Sequence, residues 1–248
     1  MTDFNIILVL LIFLITLQSM AGVGILVLGT PIMLLLNYGM IEILSTLLPL
    51  SILTSLTNFI YFKLRKKKLD IEIDAEIKKY LFLACCPSII VGLLILKYFN
   101  KYINFNILVS IVIFSSIFLV LKLKNKIFNS KQNFKIFSLA TVGLIHGITN
   151  SGGTLLSLFV SALKRNKVNQ SRFNTTFAYL FLALFQYLSF IFIFNVNYDF
   201  DDIKMFIYTL PLGIILGNML IKFVNEYIYK SLINILAFIS AIFLLFKI

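Results

Sequence analysis

The sequence predicts an all-α polytopic membrane protein: about eight apolar segments in two similar halves, the first and fifth interrupted by glycine. Three observations predict this. Hydrophobic residues make up 60% of the 248 and charged residues 13%, with a mean hydropathy of +1.00, whereas soluble domains carry about 25% charged residues. Apolar runs recur at about 4–36, 40–62, 78–97, 103–121, 136–163, 173–195, 203–224 and 228–246, and a helix of about 20 apolar residues spans a bilayer. Lysine and arginine gather in particular connections, as cytoplasmic loops do. These runs leave no room for a soluble domain. The net charge of +12 therefore belongs to the loops, and no nucleic-acid partner is expected.

The first run is too long for one span. Its 33 residues would make a helix of about 50 Å against a hydrocarbon core of about 30 Å. It contains Gln18-Ser-Met-Ala-Gly-Val-Gly24, where glycine weakens a helix. Its opening, Phe4–Leu17, has the apolar character of a signal peptide. Asp3 and the lack of Lys or Arg before it do not fit a positive leader, so cleavage is not expected. The second run carries Ser45, Thr46, Ser51, Thr54 and Ser55, with Glu42 near its start, and ends in the basic run Lys63–Lys68, a topology determinant and lipid-headgroup contact. In the third, the adjacent Cys85 and Cys86 lack metal-site spacing and read as small buried hydrophobes. The fifth run, 28 residues, holds Gly143-Leu-Ile-His-Gly-Ile-Thr-Asn-Ser-Gly-Gly-Thr154 with the only histidine of the chain. Asn174, Thr175, Thr176 and Gln186 lie in the sixth, and Asp199, Asp201 and Asp202 crowd the next connection.

Charge and repetition bear on whether the long runs cross or fold back. Eight straight spans place at best 14 of the 22 Lys and Arg residues on one side, whereas folding runs one and five back places 18 there. The positive-inside rule prefers the folded-back arrangement, which puts both termini outside. Ser45-Thr46 pairs with Asn174-Thr175, and Gly24 with Gly153, at an offset of 129. Pro87, Gly92, Asn100 and Tyr102 pair with Pro211, Gly217, Asn225 and Tyr227 at offsets of 124 to 125. The expected organisation is an N-terminal repeat (1–122), a basic connecting loop (123–133) and a C-terminal repeat (134–248), inverted if each half crosses an odd number of times.

An interrupted helix exposes N–H groups with partial positive charge at the start of its second half. Two such ends meeting in mid-membrane make an anion site that needs no buried Lys or Arg. The candidate substrate ligands are Thr149, Asn150, Ser151, Gly152, Gly153 and Thr154 in the second stretch, and Gln18, Ser19, Gly22, Val23 and Gly24 in the first. Thr46 and Thr175 are candidates to complete the cavity. Close helix packing by small residues explains the same composition, and both readings stand at this stage. His146 is the candidate for a coupling proton; a hydrogen-bonded packing histidine is the alternative. Enzyme, metal and cofactor signatures are absent from the sequence, so neither catalysis nor a cofactor is expected. The function that follows is secondary transport of a small anion, coupled to a proton or sodium ion, by a protein in contact with membrane lipids. The alternatives are a passive anion pore and a membrane-embedded enzyme or assembly factor.

The glycine stretches resemble those of the TauE/SafE family of sulfite-exporter-like transporters. The first element of that family carries a Gly-x-Gly-Gly stretch followed by proline; here it reads Gly22-Val-Gly24…Gly29-Thr-Pro31, with Ile25 at one glycine position. The second reads Gly143…Gly147-Ile-Thr-Asn-Ser-Gly-Gly153, with Phe159-Val160 where Pro31 would align. The resemblance implies gradient-driven movement of sulfur-containing anions, such as sulfite or organosulfonates, across the inner (plasma) membrane by a multi-pass protein.

Overall fold

The computed structural model describes residues 2–64, 72–73, 75–123, 132–153, 155–156, 168–196, 200–223, 235 and 238–247. Among these the chain is helical apart from short turns, without a strand. The helices are α1 (Thr2–Ala21), α2 (Ile25–Leu35), α3 (Met40–Leu64), α4 (Ala75–Tyr80, a π-helical turn Leu81–Cys85, then Cys86–Phe99), α5 (Phe105–Leu123), α6 (Gln132–Thr149), α7 (Val168–Phe194) and α8 (Phe200–Leu220). A final helical stretch covers 238–246. Among the described residues, three stretches, Met40–Leu64, Ile77–Phe99 and Arg172–Phe194, are long and apolar enough to cross a membrane. The bundle surface is apolar as well: Phe82, Phe192 and Phe246 are 66%, 81% and 85% exposed. Such a surface suits lipid rather than water. Thr154, the loop 124–131 and the basic residues Arg65 to Lys68 lie outside the described residues.

The first long run breaks at the glycines. Gly22 has φ 76°, a conformation glycine adopts without penalty. Its α-carbon packs on α7, where an added Cβ would lie 2.8 Å from Thr176 Oγ1. Beyond the break α2 turns back beside α1, since a Cβ at Gly29 would lie 3.1 Å from Leu14 Cδ1. In one continuous helix those positions would be about 22 Å apart. Run one is thus a helical hairpin.

Residue contacts set the remaining directions. Phe59 of α3 stacks on Phe173 of α7 at 5.5 Å between ring centres, so the end of α3 meets the start of α7. At the other end of α7, Lys97 of α4 donates to Ile193 O (2.6 Å), so α4 and α7 run in parallel. α6 also runs parallel to α4: Gly143 meets Cys85, and Gly147 meets Ile89. By the pairing of Gly147 with Ile89, α6 reaches about 20 Å along α4 before it stops. α7 nevertheless starts at the level where α4 starts. The start of α7 therefore lies at the end from which α6 set out, as a folded-back run five requires. Lys247 donates to Leu34 O (2.9 Å) and to Leu35 O, which places the C-terminal helix end beside the end of α2, remote from Lys63.

Two helix pairs cross with backbone against backbone. A Cβ at Gly92 would lie 2.5 Å from Leu144 O of α6; one at Gly217 of α8 would lie 2.7 Å from Thr16 O of α1. Only glycine permits such approach, and small residues are what bring membrane helices together. Gly213 meets Ile12 and Ile15 of α1 while Gly217 meets Thr16 and Ser19, so α1 and α8 are parallel too. The π-helical turn precedes Pro87, which has no N–H to give the carbonyl four residues back. The widened turn carries Cys85, whose thiol donates to Leu139 O (3.0 Å).

Candidate functional site

At the first break Gln18, fully buried, organises three segments. Its Oε1 accepts the Ile25 N–H at the start of α2 (3.1 Å). Its Nε2 donates to Ser51 O, Ser51 Oγ and Ser55 Oγ of α3 at 3.0, 3.1 and 2.9 Å. Ser51, Ser55 and Asn58 follow one helical stripe, so Asn58 continues this polar face toward the basic end. Two side-chain atoms here are buried without a hydrogen-bond partner, Ser19 Oγ and Asn58 Nδ2. Arg172 of α7 donates from Nη2 to Ser19 O (3.2 Å) and lays its guanidinium 5.3 Å over the Phe62 ring. A cation therefore stands at the first break.

At the second break α6 ends in a left-handed cap. Asn150 has φ 59° and its N–H returns to His146 O (2.8 Å); asparagine tolerates this conformation better than most residues. Thr149 Oγ1 donates to Ile145 O (2.8 Å) and accepts the Ser151 N–H (3.2 Å). Ser151 Oγ donates to Thr149 O (3.1 Å). The Leu156 N–H then bonds Gly152 O (3.1 Å), so helix resumes after Gly152. Gly153 lies under the Tyr179 phenol, which occupies the place of a Cβ. Gln186 Nε2 donates to His146 O (3.0 Å). Both His146 ring nitrogens, Asn150 Oδ1 and Gln186 Oε1 are buried without a partner.

The two breaks are linked. Asn150 Nδ2 donates to Thr30 Oγ1 on α2 (3.3 Å), with both residues fully buried. The link falls on the second turn of α2, about 7 Å past its first residue, so the two interrupted elements are staggered rather than end to end. Of the sequence-predicted residues, Gln18, Ser19, Gly22 and Gly24 gather at the first break, and His146, Thr149, Asn150, Ser151, Gly152 and Gly153 at the second. Val23 is buried in the turn between Gly22 and Gly24, and Thr175 is buried on α7 next to Thr176. Thr46 donates to Glu42 O of its own helix (3.0 Å), about 13 Å along α3 from Ser55. Three residues enter that the sequence did not single out. Asn58 is an amide inside an otherwise apolar run, a readable signal. Thr30 sits unremarked between Gly29 and Pro31. Arg172 counts as a loop charge by position alone.

The family model described as "Sulfite exporter TauE/SafE" matches residues 6–244, nearly the whole chain. Neither the curated proteins nor the solved structures yield a match.

Proposed function

The chain belongs to the TauE/SafE family of membrane transporters, and from that premise we propose that it is a secondary transporter of small sulfur-containing anions, sulfite or an organosulfonate. The observation that carries the reading is the set of buried donors left without partners at the first break. They are Ser19 Oγ, on the residue whose backbone carbonyl accepts from Arg172, and Asn58 Nδ2, one turn before the Phe62 ring that lies under the same guanidinium. Buried polar groups in a scaffold are nearly always hydrogen-bonded, and groups left over at a helix start suit a transient anionic guest. The second break contributes Asn150, Ser151, Gly152 and Gly153 from the other side, with Asn150 joined to the Thr30 hydroxyl of α2. Sequence composition ranks the second stretch above the first; the cation and the unpartnered donors favour the first.

The two halves act as an inverted repeat. α4 packs on α6 as α8 packs on α1, each pair parallel and each sealed by a glycine, Gly92 and Gly217, at an offset of 125 in sequence. Rocking of one half against the other then exposes the site to alternate faces. The basic ends of α3 and α7 face the cytoplasm of the inner membrane, and lipids surround the apolar belt. Purified protein in proteoliposomes tests the proposal: sulfite uptake should saturate and follow an imposed ion gradient. Uptake indifferent to proton and sodium gradients would instead support a pore.

A further inference from the structure

At the basic end of α3 and α7, the change from buried polar residues to exposed ones falls on a phenylalanine in both helices. On α3 the stripe Ser51, Ser55, Asn58 is buried, Phe62 is 4% exposed, and Lys63 and Leu64 beyond it are exposed. On α7 Thr176, Thr175 and Asn174 are buried, Phe173 is 3% exposed, and Arg172 and Gln170 before it are half-buried. Both polar stripes lead to the first break. Ser51 and Ser55 accept from Gln18, and Thr176 lies against Gly22, where an added Cβ would stand 2.8 Å from its Oγ1. The rings meet across the mouth of this seam. Phe62 and Phe173 stand edge to face at 5.9 Å, and Phe59 stacks on Phe173 at 5.5 Å with ring planes 6° apart. Ile73 packs on the same rings. Its neighbour Glu72 is tied down by Gln170 of α7, whose Oε1 accepts the Glu72 N–H (3.0 Å) and whose Nε2 donates to Glu72 O.

We propose that Phe59, Phe62, Phe173 and Ile73 form the gate that closes the anion path at the basic end, with Arg172 as the positioning residue that links gate to site. In this structure the gate is shut. Among the described residues Phe62 and Phe173 form a hydrophobic cluster apart from the main core, so the rings can part without opening that core. Their contacts are edge and stacking contacts, individually weak and readily remade. Cations stand on the rings: the Arg172 guanidinium lies 5.3 Å over Phe62 and the Lys63 ammonium 5.3 Å from the centre of Phe59. Such a mouth draws anions toward it while the rings block their passage. The guanidinium over Phe62 also donates to Ser19 O (3.2 Å), so one side chain touches both the gate and the first break. An oxyanion at Ser19 and Asn58 competes for that guanidinium, and a charge-assisted bond to it is stronger than one to a neutral carbonyl. Occupancy of the site thus loosens the hold of Arg172 on the ring. Opening then moves the start of α7 away from the end of α3 and releases Glu72 from Gln170. The inference rests on the transport reading in naming the guest, whereas the closure stands on the rings.

In a full-length chain whose Cys85 and Cys86 are replaced by alanine, Asn58→Cys reports access to the inner side of the rings, whatever the substrate proves to be. An impermeant thiol reagent applied at the basic end should label it about tenfold faster or more once Phe62→Ala is added. Gln170→Ala, which frees Glu72 and keeps every ring, should raise the rate as well. Lys63→Cys, outside the rings, should label at one rate with or without either substitution. An equal Asn58→Cys rate in all three proteins overturns the gate. A rise of the same size at Lys63→Cys also overturns it, because the whole helix end would then have loosened. In proteoliposomes, Phe59→Cys with Phe173→Cys, joined by a short reducible thiol cross-linker, should lose sulfite uptake about tenfold or more and regain it on reduction. Uptake unchanged by the cross-link overturns the gate. If the unlinked protein moves no sulfur oxyanion at all, the transport reading fails, and the labelling rates alone decide the gate.

Discussion

Gln18 and Asn58 are both buried amides near the first break, yet substitution should separate them. Gln18 Oε1 and Nε2 hold the start of α2 and two serines of α3. Gln18→Leu leaves the Ile25 N–H and the Ser51 and Ser55 hydroxyls in the interior without this partner, and each orphaned group costs about 1–3 kcal/mol. The expected result is a marked fall in the thermal unfolding midpoint together with loss of uptake. Asn58 Nδ2 has no partner to lose, so Asn58→Leu should leave the midpoint within a few degrees of wild type, while sulfite uptake falls about tenfold if the donor serves the anion. A drop in stability without an effect on uptake would assign Asn58 to packing. Sequence alone could not make this distinction. It shows that a polar residue lies in an apolar run but not whether its hydrogen bonds are already spent. Arg172 shows the same limit from another side. Hydropathy marks the segment beginning near 173, but α7 begins at Val168, because a helix continues past the lipid core into the headgroup region. An arginine counted as a loop charge thus comes to rest against Ser19.

Among the helices, the breaks were the most legible feature and the crossings the least. Four glycines between 143 and 153 announce an interruption, and the structure divides their roles. Gly143 and Gly147 belong to an unbroken helix and seat α6 on α4, whereas Gly152 and Gly153 form the turn and the restart. Composition cannot tell these uses apart, since both need the missing Cβ. A pair of substitutions can. A Cβ at Gly147 would lie 2.5 Å from Ile89 O, whereas one at Gly39 would meet nothing nearer than Glu42 Oε2 at 3.6 Å. Gly147→Ala should therefore cost about 1–3 kcal/mol through forced separation of α4 and α6. Gly39→Ala should stay within about 0.5 kcal/mol of wild type. Thermal unfolding of the two variants in the same detergent checks the contrast; equal midpoints would mean that α4 and α6 do not pack through their backbones.

For the whole molecule, the decisive question is which ends of the helices share a side of the membrane. Straight crossing of run five puts the starts of α6 and α7 on opposite faces, and folding back puts them together. The contacts of Gly143 with Cys85 and Gly147 with Ile89 align α6 with α4. The Lys97–Ile193 bond aligns α7 with the same helix. Both starts therefore lie with Lys63 at the basic end, and Lys247 lies at the other. In a chain whose Cys85 and Cys86 are replaced by alanine, Gln132→Cys and Val168→Cys should react with an impermeant thiol reagent only from the cytoplasmic face. Lys247→Cys should react only from the opposite one. Labelling of Gln132→Cys and Val168→Cys from different faces would refute the hairpin in the second half, and with it the inverted repeat. Such a repeat requires each half to cross an odd number of times, so that its copy enters from the other side. The functional argument depends on the same geometry. Only if runs one and five both turn back inside the bilayer do two helix restarts point inward from opposite faces, and only then can one buried site open to each side in turn without moving its ligands.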